Sequence, residues 1–168
     1  LRWQRQMCIR DRNGDEYELI EDLSTGNMQI TKDKMGVGTY GDKSFDTIEE
    51  AAYQLSVTGA VPIGFGGDGS VSLPLLRAAS RIHNNLAVLH FDSHTDAYEV
   101  DPIHKYDAAT QFSHVALEQR ISVSSSYHIG LRGSTSCQGV HQHGKNLGYN
   151  LITMNDFLNR GHDNVMSE

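Results

Sequence analysis

The sequence predicts an α/β fold in which a mostly parallel sheet lies between helices on both faces, a three-layer α/β/α sandwich. Short apolar runs alternate with stretches of helical periodicity, and the apolar runs stop at glycine-rich or acidic turns. No repeat, low-complexity tract or linker divides the 168 residues. The order reads βαβαβαβα, and connections of that kind are right-handed crossovers.

Leu1 to Arg12 is expected to be a non-native or disordered leader, because QRQMCIRDR resembles translated adapter sequence, and charges interrupting every apolar pair exclude a signal peptide. Residues 13–168 are expected to form a single domain. Asn13 to Gly41 is polar and weakly periodic, with one short strand signal at Met28 to Thr31. Ile48, Ala51, Ala52 and Leu55 have helical spacing, which predicts a helix over Phe45 to Thr58 with Ser44 or Asp46 as its cap and Gly59 at its end. Val61 to Phe65 reads as a buried strand, with Pro62 near its start. Gly66 to Ser70 forms a tight turn. A second helix is predicted over Leu73 to His83, with Pro74 in its first turn and Leu75, Leu76 and Ala79 on one face.

Leu86 to Phe91 is the next strand, followed by a loop through Lys105 and a helix near Gln111 to Glu118. Tyr127 to Leu131 is a strand closed by Arg132, Gly133 and Ser134. A helix over Val140 to Leu147, a strand at Leu151 to Met154 and a helical start at Asn155 to Leu158 complete the series.

Hydrophobic residues make up 38% and charged residues 21% of the chain, and no apolar run approaches the ~20 residues of a membrane span. The formal charge of −7 opposes attraction to nucleic acid. With only Cys8 and Cys137, a disulfide framework is not expected and a cytoplasmic setting is.

The apolar run Leu86 to Phe91 stops abruptly at Asp92, His94 and Asp96 in D-x-H-x-D spacing. Residues i, i+2 and i+4 of an extended segment share one side, so two carboxylates and an imidazole can converge at the carboxyl edge of the sheet. Such donors suit Mn²⁺, Zn²⁺ or Fe²⁺. The plainer alternative is an exposed polar turn, but the strand immediately before it favours a metal site. The three residues should lie at one sheet edge, beside the Gly66 to Ser70 turn.

That turn has two readings of its own. Its glycines could bring backbone amides against a phosphate at a helix N-terminus, and GGDG-S resembles a signature of the NAD and diacylglycerol kinase superfamily, with Asp68 holding a metal-nucleotide. Alternatively, the turn supports the neighbouring metal site.

Among the other histidines, His90 reads as a packed or supporting residue within its strand, and His128 as a core histidine. His104 and His114 flank Ala108 and are candidates for a ligand or proton carrier. His83, His141, His143 and His162 read as surface or helix-terminal. Cys137 has no neighbouring histidine to activate it as a nucleophile. Arg132-Gly133-Ser134 reads equally as a substrate-positioning turn or as a structural glycine beside a solvated arginine. Gly36, Gly38 and Gly41 spell G-x-G-x-x-G in a charged context that argues against dinucleotide binding.

Taken together, IGFGGDGSVSLPLLRA, LHFDSHTDAY and YHIGLRGS resemble the ureohydrolase family of arginases, agmatinases and related amidinohydrolases, in that family's order and intervals and from about Glu50 onward. Agmatinase-like members are the most similar. The resemblance implies a site with two Mn²⁺ per subunit, a small guanidino substrate and a homo-oligomer. It further implies that Asp92 bridges both ions, His94 binds one and Asp96 binds the other. Two cations ~3.5–4 Å apart lower the pKa of a bridging water, which attacks the guanidinium carbon to give urea and an amine.

This chain departs from the pattern at three places. Gly69 stands where GGDHS has a metal-binding histidine. Ala108 stands where the HGTxF segment has its histidine, with Ala109, Thr110, Gln111 and Phe112 following. The paired aspartates of a later SxDxDxxDP motif have no counterpart before Glu168. The domain is therefore expected to be truncated at its C-terminal side, and the chain by itself to be inactive. A catalytically lost relative that keeps the scaffold is the alternative.

Overall fold

In the computed structural model, the described residues are 8–10, 41–65, 68–100, 102, 106, 108–135 and 138–168. The strand signal at Met28 to Thr31, His104, Cys137, Gly36 and Gly38 lie outside them. Three strands form a parallel sheet in the order β3, β4, β5: β3 (Leu89–Phe91), β4 (Tyr127–Leu131) and β5 (Asn150–Thr153). Leu89 is paired with Tyr127, and Tyr127 in turn with Asn150. Among the described residues the α-helices are α1 (Gly41–Val57), α2 (Ser72–Ser80), α3 (Gln111–Leu117), α4 (Val140–Leu147), α5 (Met154–Arg160) and α6 (His162–Met166).

The strands' alternation separates two packed faces. On one side, Phe45 from α1, Leu73 from α2, Phe112 and Val115 from α3, and Leu147 from α4 pack with Val88, Tyr149 and Leu151. On the other, Ile129 and Ile152 meet Phe157 of α5 and Val165 of α6. Helices on both faces are what the alternating sequence predicts. Among the described residues the second layer covers β4 and β5, and Leu89 and Phe91 of β3 are 61% and 63% exposed.

Several elements differ in detail from expectation. α1 starts before Phe45, which places Ser44 and Asp46 inside the helix instead of at its cap, because apolar spacing marks the buried turns and says nothing of a polar turn ahead of them. α2 follows a 3₁₀ turn at Gly69–Val71, and it buries Leu73, Pro74 and Ala78 while Leu75 and Ala79 are half-buried. The tighter 3₁₀ turn shifts the helix phase.

β2 (Val61–Ile63) pairs antiparallel with β1 (Cys8–Arg10), a strand inside the segment set aside as a leader. It is not hydrogen-bonded to the parallel sheet. Pro62 has no N–H to give to a ladder, which suits a short edge ribbon better than a sheet interior.

Two contacts fix α3, the helix nearest the D-x-H-x-D turn. The Arg77 guanidinium of α2 donates to both Glu118 carboxylate oxygens at 2.9 and 2.5 Å, and the Tyr149 hydroxyl donates to the Phe112 carbonyl at 2.8 Å.

Candidate metal centre

β3 ends at Phe91, and the Asp92 N–H still donates to the Ile129 carbonyl at 3.1 Å, so Asp92 sits at the carboxyl edge of the sheet as expected. The chain then turns. Asp92 Oδ1 accepts from the His94 N–H at 2.9 Å and from the Ser93 hydroxyl at 3.3 Å. These bonds hold the Asp92 carboxyl below its usual range despite the opposing effect of partial burial.

Asp92 Oδ2 faces the other way. The His90 Nε2 atom lies 3.9 Å from Asp92 Oδ2 and 3.9 Å from Asp96 Oδ2. One donor atom each from His90, Asp92 and Asp96 lie within 4.8 Å of one another, a spread that side-chain rotation can close around a divalent cation.

His94 lies on the other side of the Asp92 carboxylate, with its Nδ1 3.7 Å from Asp92 Oδ1. Its Nε2 lies 3.1 Å from the Ser134 carbonyl and its Nδ1 3.0 Å from the Ser93 hydroxyl. Gly133 makes this possible, since a Cβ there would overlap the His94 ring. The period-2 rule holds only while the backbone is extended: it brings His90 and Asp92 to one side, and after the turn has begun His94 meets the other oxygen of Asp92. His90 carried the signal for its own place, two residues before Asp92 on the same strand face.

Asp96 has φ 46°, a left-handed conformation that an L-residue adopts at a cost of order 1–2 kcal/mol. Backbone bonds around it tie the turn to the start of α3: Phe112 N–H donates to the Asp96 carbonyl at 3.2 Å, and Tyr98 N–H to the Ala109 carbonyl at 3.0 Å.

From the first turn of α3, Gln111 Nε2 donates to Asp96 Oδ2 at 2.9 Å. Gln111 is 1% exposed, and its Oε1 has no partner among the described residues. An unpaired buried amide oxygen costs about 1–3 kcal/mol. The carboxamide fills the space next to Gly69, where a Cβ would lie 2.5 Å from Gln111 Nε2, 2.7 Å from the Ala108 carbonyl oxygen and 3.3 Å from Asp96 Oδ2. The Gly69 turn and Asp96 are thus neighbours, as expected. Gln111 had no motif to announce it, although two small residues at 69 and 108 signal room beside Asp96 for another side chain.

Beneath the carboxylates, His90 Nδ1 lies 2.8 Å from His128 Nδ1, and the two rings stand edge to face. His128 is the core histidine the sequence predicts, fully buried against Phe112 and Tyr149, with no partner for Nε2 among the described residues. Burial, helped by the neighbouring His90, pushes its pKa down to about 3. Burial also lowers that of His90, against the pull of Asp92. Both rings are neutral at pH 7.

Asp68 accepts from the Ser70 N–H at 3.0 Å and the Ser70 hydroxyl at 2.5 Å, so it caps its own 3₁₀ turn. His114 is buried in α3, and His83 and His162 are exposed. His141 and His143 are half-buried on α4, with His143 Nε2 3.4 Å from the Ser113 hydroxyl.

The arginase family model matches residues 5–168. Agmatinase from Serratia proteamaculans is 36% identical over 60% of this chain and 35% of its own length, and agmatinase from Neisseria meningitidis serogroup C 35% identical over 70% and 36%. The chain thus spans little more than a third of these relatives. Among solved structures, proclavaminate amidinohydrolase from Streptomyces clavuligerus superposes with a TM-score of 0.66 at 24% identity, covering 75% of this chain and 42% of that one. Trypanosoma cruzi formiminoglutamase with Mn²⁺ gives 0.63 at 18% identity, covering 75% and 43%.

Proposed function

Because the chain belongs to the arginase family, we propose that these residues are part of a metal-dependent amidinohydrolase of agmatinase type. It hydrolyses a guanidino C–N bond: water adds at the guanidinium carbon, the bond to the alkyl nitrogen breaks with a proton delivered to that nitrogen, and urea and an amine leave. The observation that supports this reading is the gathering of His90, Asp92 and Asp96 donors at the tip of β3.

The D-x-H-x-D turn of Asp92, His94 and Asp96 is the proposed metal-bearing segment, with His90 behind it. A bound Mn²⁺ supplies water activation and charge stabilisation. The chain's own residues perform the rest. Asp92 and Asp96 concentrate negative charge where a cation or a guanidinium is wanted, and the neutral His90 adds a nitrogen donor without adding repulsion. The turn and its bonds to α3 keep these groups in place.

Ala108 provides no proton carrier and Gly69 no ligand, so the 168-residue chain alone is proposed to be inactive. Gln111, seated in the room beside Gly69, favours a second reading in which the scaffold survives after catalysis is lost. The kinase-type reading of Gly66 to Ser70 gives way to the family match.

The proposed setting is the cytoplasm, and the proposed assembly a homo-oligomer acting on a small guanidino compound, not on nucleic acid or a membrane. The low cysteine count supports that setting, and the net charge of −7 opposes a nucleic-acid partner. Among the described residues no helix is long and apolar enough to cross a membrane.

Urea release from agmatine, arginine and guanidinobutyrate, measured colorimetrically with Mn²⁺ and with chelator, tests the activity in the protein containing this chain. Manganese-dependent urea from one of them is expected. Mn²⁺ uptake without urea from any would favour the inactive scaffold.

A further inference from the structure

We propose that His128 is a positioning residue, which from inside the core fixes the His90 ring with Nε2 toward the Asp92 and Asp96 carboxylates. The inference rests on the metal-dependent reading above and adds to it a residue of the neighbouring strand.

An imidazole has two orientations about its last side-chain bond, and turning it over exchanges Nδ1 with Cδ2 and Nε2 with Cε1. Shape hardly separates the two. The Phe112 ring, with its centroid 4.4 Å from that of His90, sets the plane of the imidazole and can pack against either orientation. His128 tells them apart. β3 and β4 bring residues 90 and 128 side by side in register, and the two Nδ1 atoms lie 2.8 Å apart, with room for one N–H between them. Turned over, the His90 ring would set a C–H against that nitrogen and forfeit the hydrogen bond. It would also place Cε1, which can hold no cation, where Nε2 now lies 3.9 Å from Asp92 Oδ2 and 3.9 Å from Asp96 Oδ2.

Packing does not account for an imidazole at position 128. The side chain is fully buried between Phe112 and Tyr149, with ring centroids 5.0 and 4.5 Å away, and its Nε2 has no partner among the described residues. A leucine of similar volume would fill the space without an orphaned nitrogen. What leucine could not supply is the contact to His90.

Nuclear magnetic resonance of the protein containing this chain, isotope-labelled at histidine and free of metal, reads the ring directly, and calorimetric Mn²⁺ titration reads the consequence. The unaltered protein should show one His90 orientation and a nitrogen–nitrogen coupling across the Nδ1 contact. His128→Leu should show both orientations, in the cross-peaks of His90 Hδ2 and Hε1 to Phe112, and should bind Mn²⁺ about tenfold more weakly, the lower end of what partners of metal ligands contribute. His128→Asn, whose amide takes the place of Nδ1, should keep one orientation and an affinity within about twofold, although it leaves a cavity that His128→Leu does not. The better-packed variant should thus bind metal worse, whereas a role in packing alone predicts the reverse.

A single His90 orientation in His128→Leu, or a His128→Asn protein no better than His128→Leu, would overturn the assignment. So would the absence of coupling across the contact in the unaltered protein, a result that needs neither variant to fold. Both orientations in His128→Leu with unchanged Mn²⁺ affinity would overturn the role of His128 toward the cation and leave the metal-dependent reading standing. No Mn²⁺ uptake by the unaltered protein at millimolar metal would sink that reading, while the metal-free spectra still decide whether His128 orients His90.

Discussion

Removing Glu118 should destabilise the protein more than removing Glu118 and Arg77 together. The Arg77 side chain is 12% exposed and that of Glu118 27%, and two charge-assisted hydrogen bonds join α2 to the end of α3. Breaking a fully buried pair costs about 3–5 kcal/mol because one charge is stranded. Glu118 keeps contact with water, which reduces the expected loss for Glu118→Gln to about 2 kcal/mol. In the Arg77→Met, Glu118→Leu double variant no charge is stranded, and the loss should be under about 1 kcal/mol. Urea unfolding followed by circular dichroism provides the double-mutant cycle.

The pH dependence has a definite sign. Although burial raises it, the Glu118 pKa lies below its usual value because the Arg77 hydrogen bonds and charge dominate. The native state therefore binds fewer protons than the unfolded state, so this stabilisation is present above the unfolded value of 4.5 and is lost as pH falls through the lower native value. A double variant as unstable as Glu118→Gln, or a Glu118→Gln protein that loses as much stability as the unaltered protein between pH 6 and pH 3, would refute the argument.

Gly133→Ala must push its Cβ into the His94 ring and should cost about 1–3 kcal/mol or displace the imidazole. Unchanged His94 ring resonances together with an unchanged unfolding midpoint would contradict that contact. Tyr149→Phe removes the donor to the Phe112 carbonyl and should cost about 1–2 kcal/mol in urea unfolding, with equal stability ruling the bond unimportant. Leu73→Ala, which empties a site 1% exposed between α1, α2 and α3, should cost about 2–5 kcal/mol, and a loss under 1 kcal/mol would show that the core collapses around it.

Much of the architecture was legible because burial writes period into sequence. β4 and α4 begin and end where their apolar patterns do, and the helices alternate across the sheet as the βα order implies. Less legible were features that depend on distant chain. Pairing of β2 with Cys8–Arg10 leaves no mark in Val61 to Phe65 beyond Pro62.

The carboxylates were found because they directly follow an apolar strand. His94 was grouped with them by a rule that assumes extended backbone, and the turn one residue earlier brings its ring to Asp92 Oδ1 at 3.7 Å and to Ser134, on the side away from His90. Gln111 was out of reach for another reason: its meaning lies in the emptiness of position 69, forty-two residues away in sequence.

The contact between the two ring nitrogens of His90 and His128 holds one proton, and where it resides determines what His90 presents upward. With the proton on His90 Nδ1, its Nε2 offers a lone pair and attracts a cation. With the proton on His128 instead, Nε2 carries hydrogen and can only donate to the aspartates. The electronic character of the surface carboxylate cluster is thus decided from below, by a residue sealed among Phe112 and Tyr149 that no solute touches. A substitution at 128 that accepts a hydrogen bond and one that donates it would tune the same centre in opposite directions.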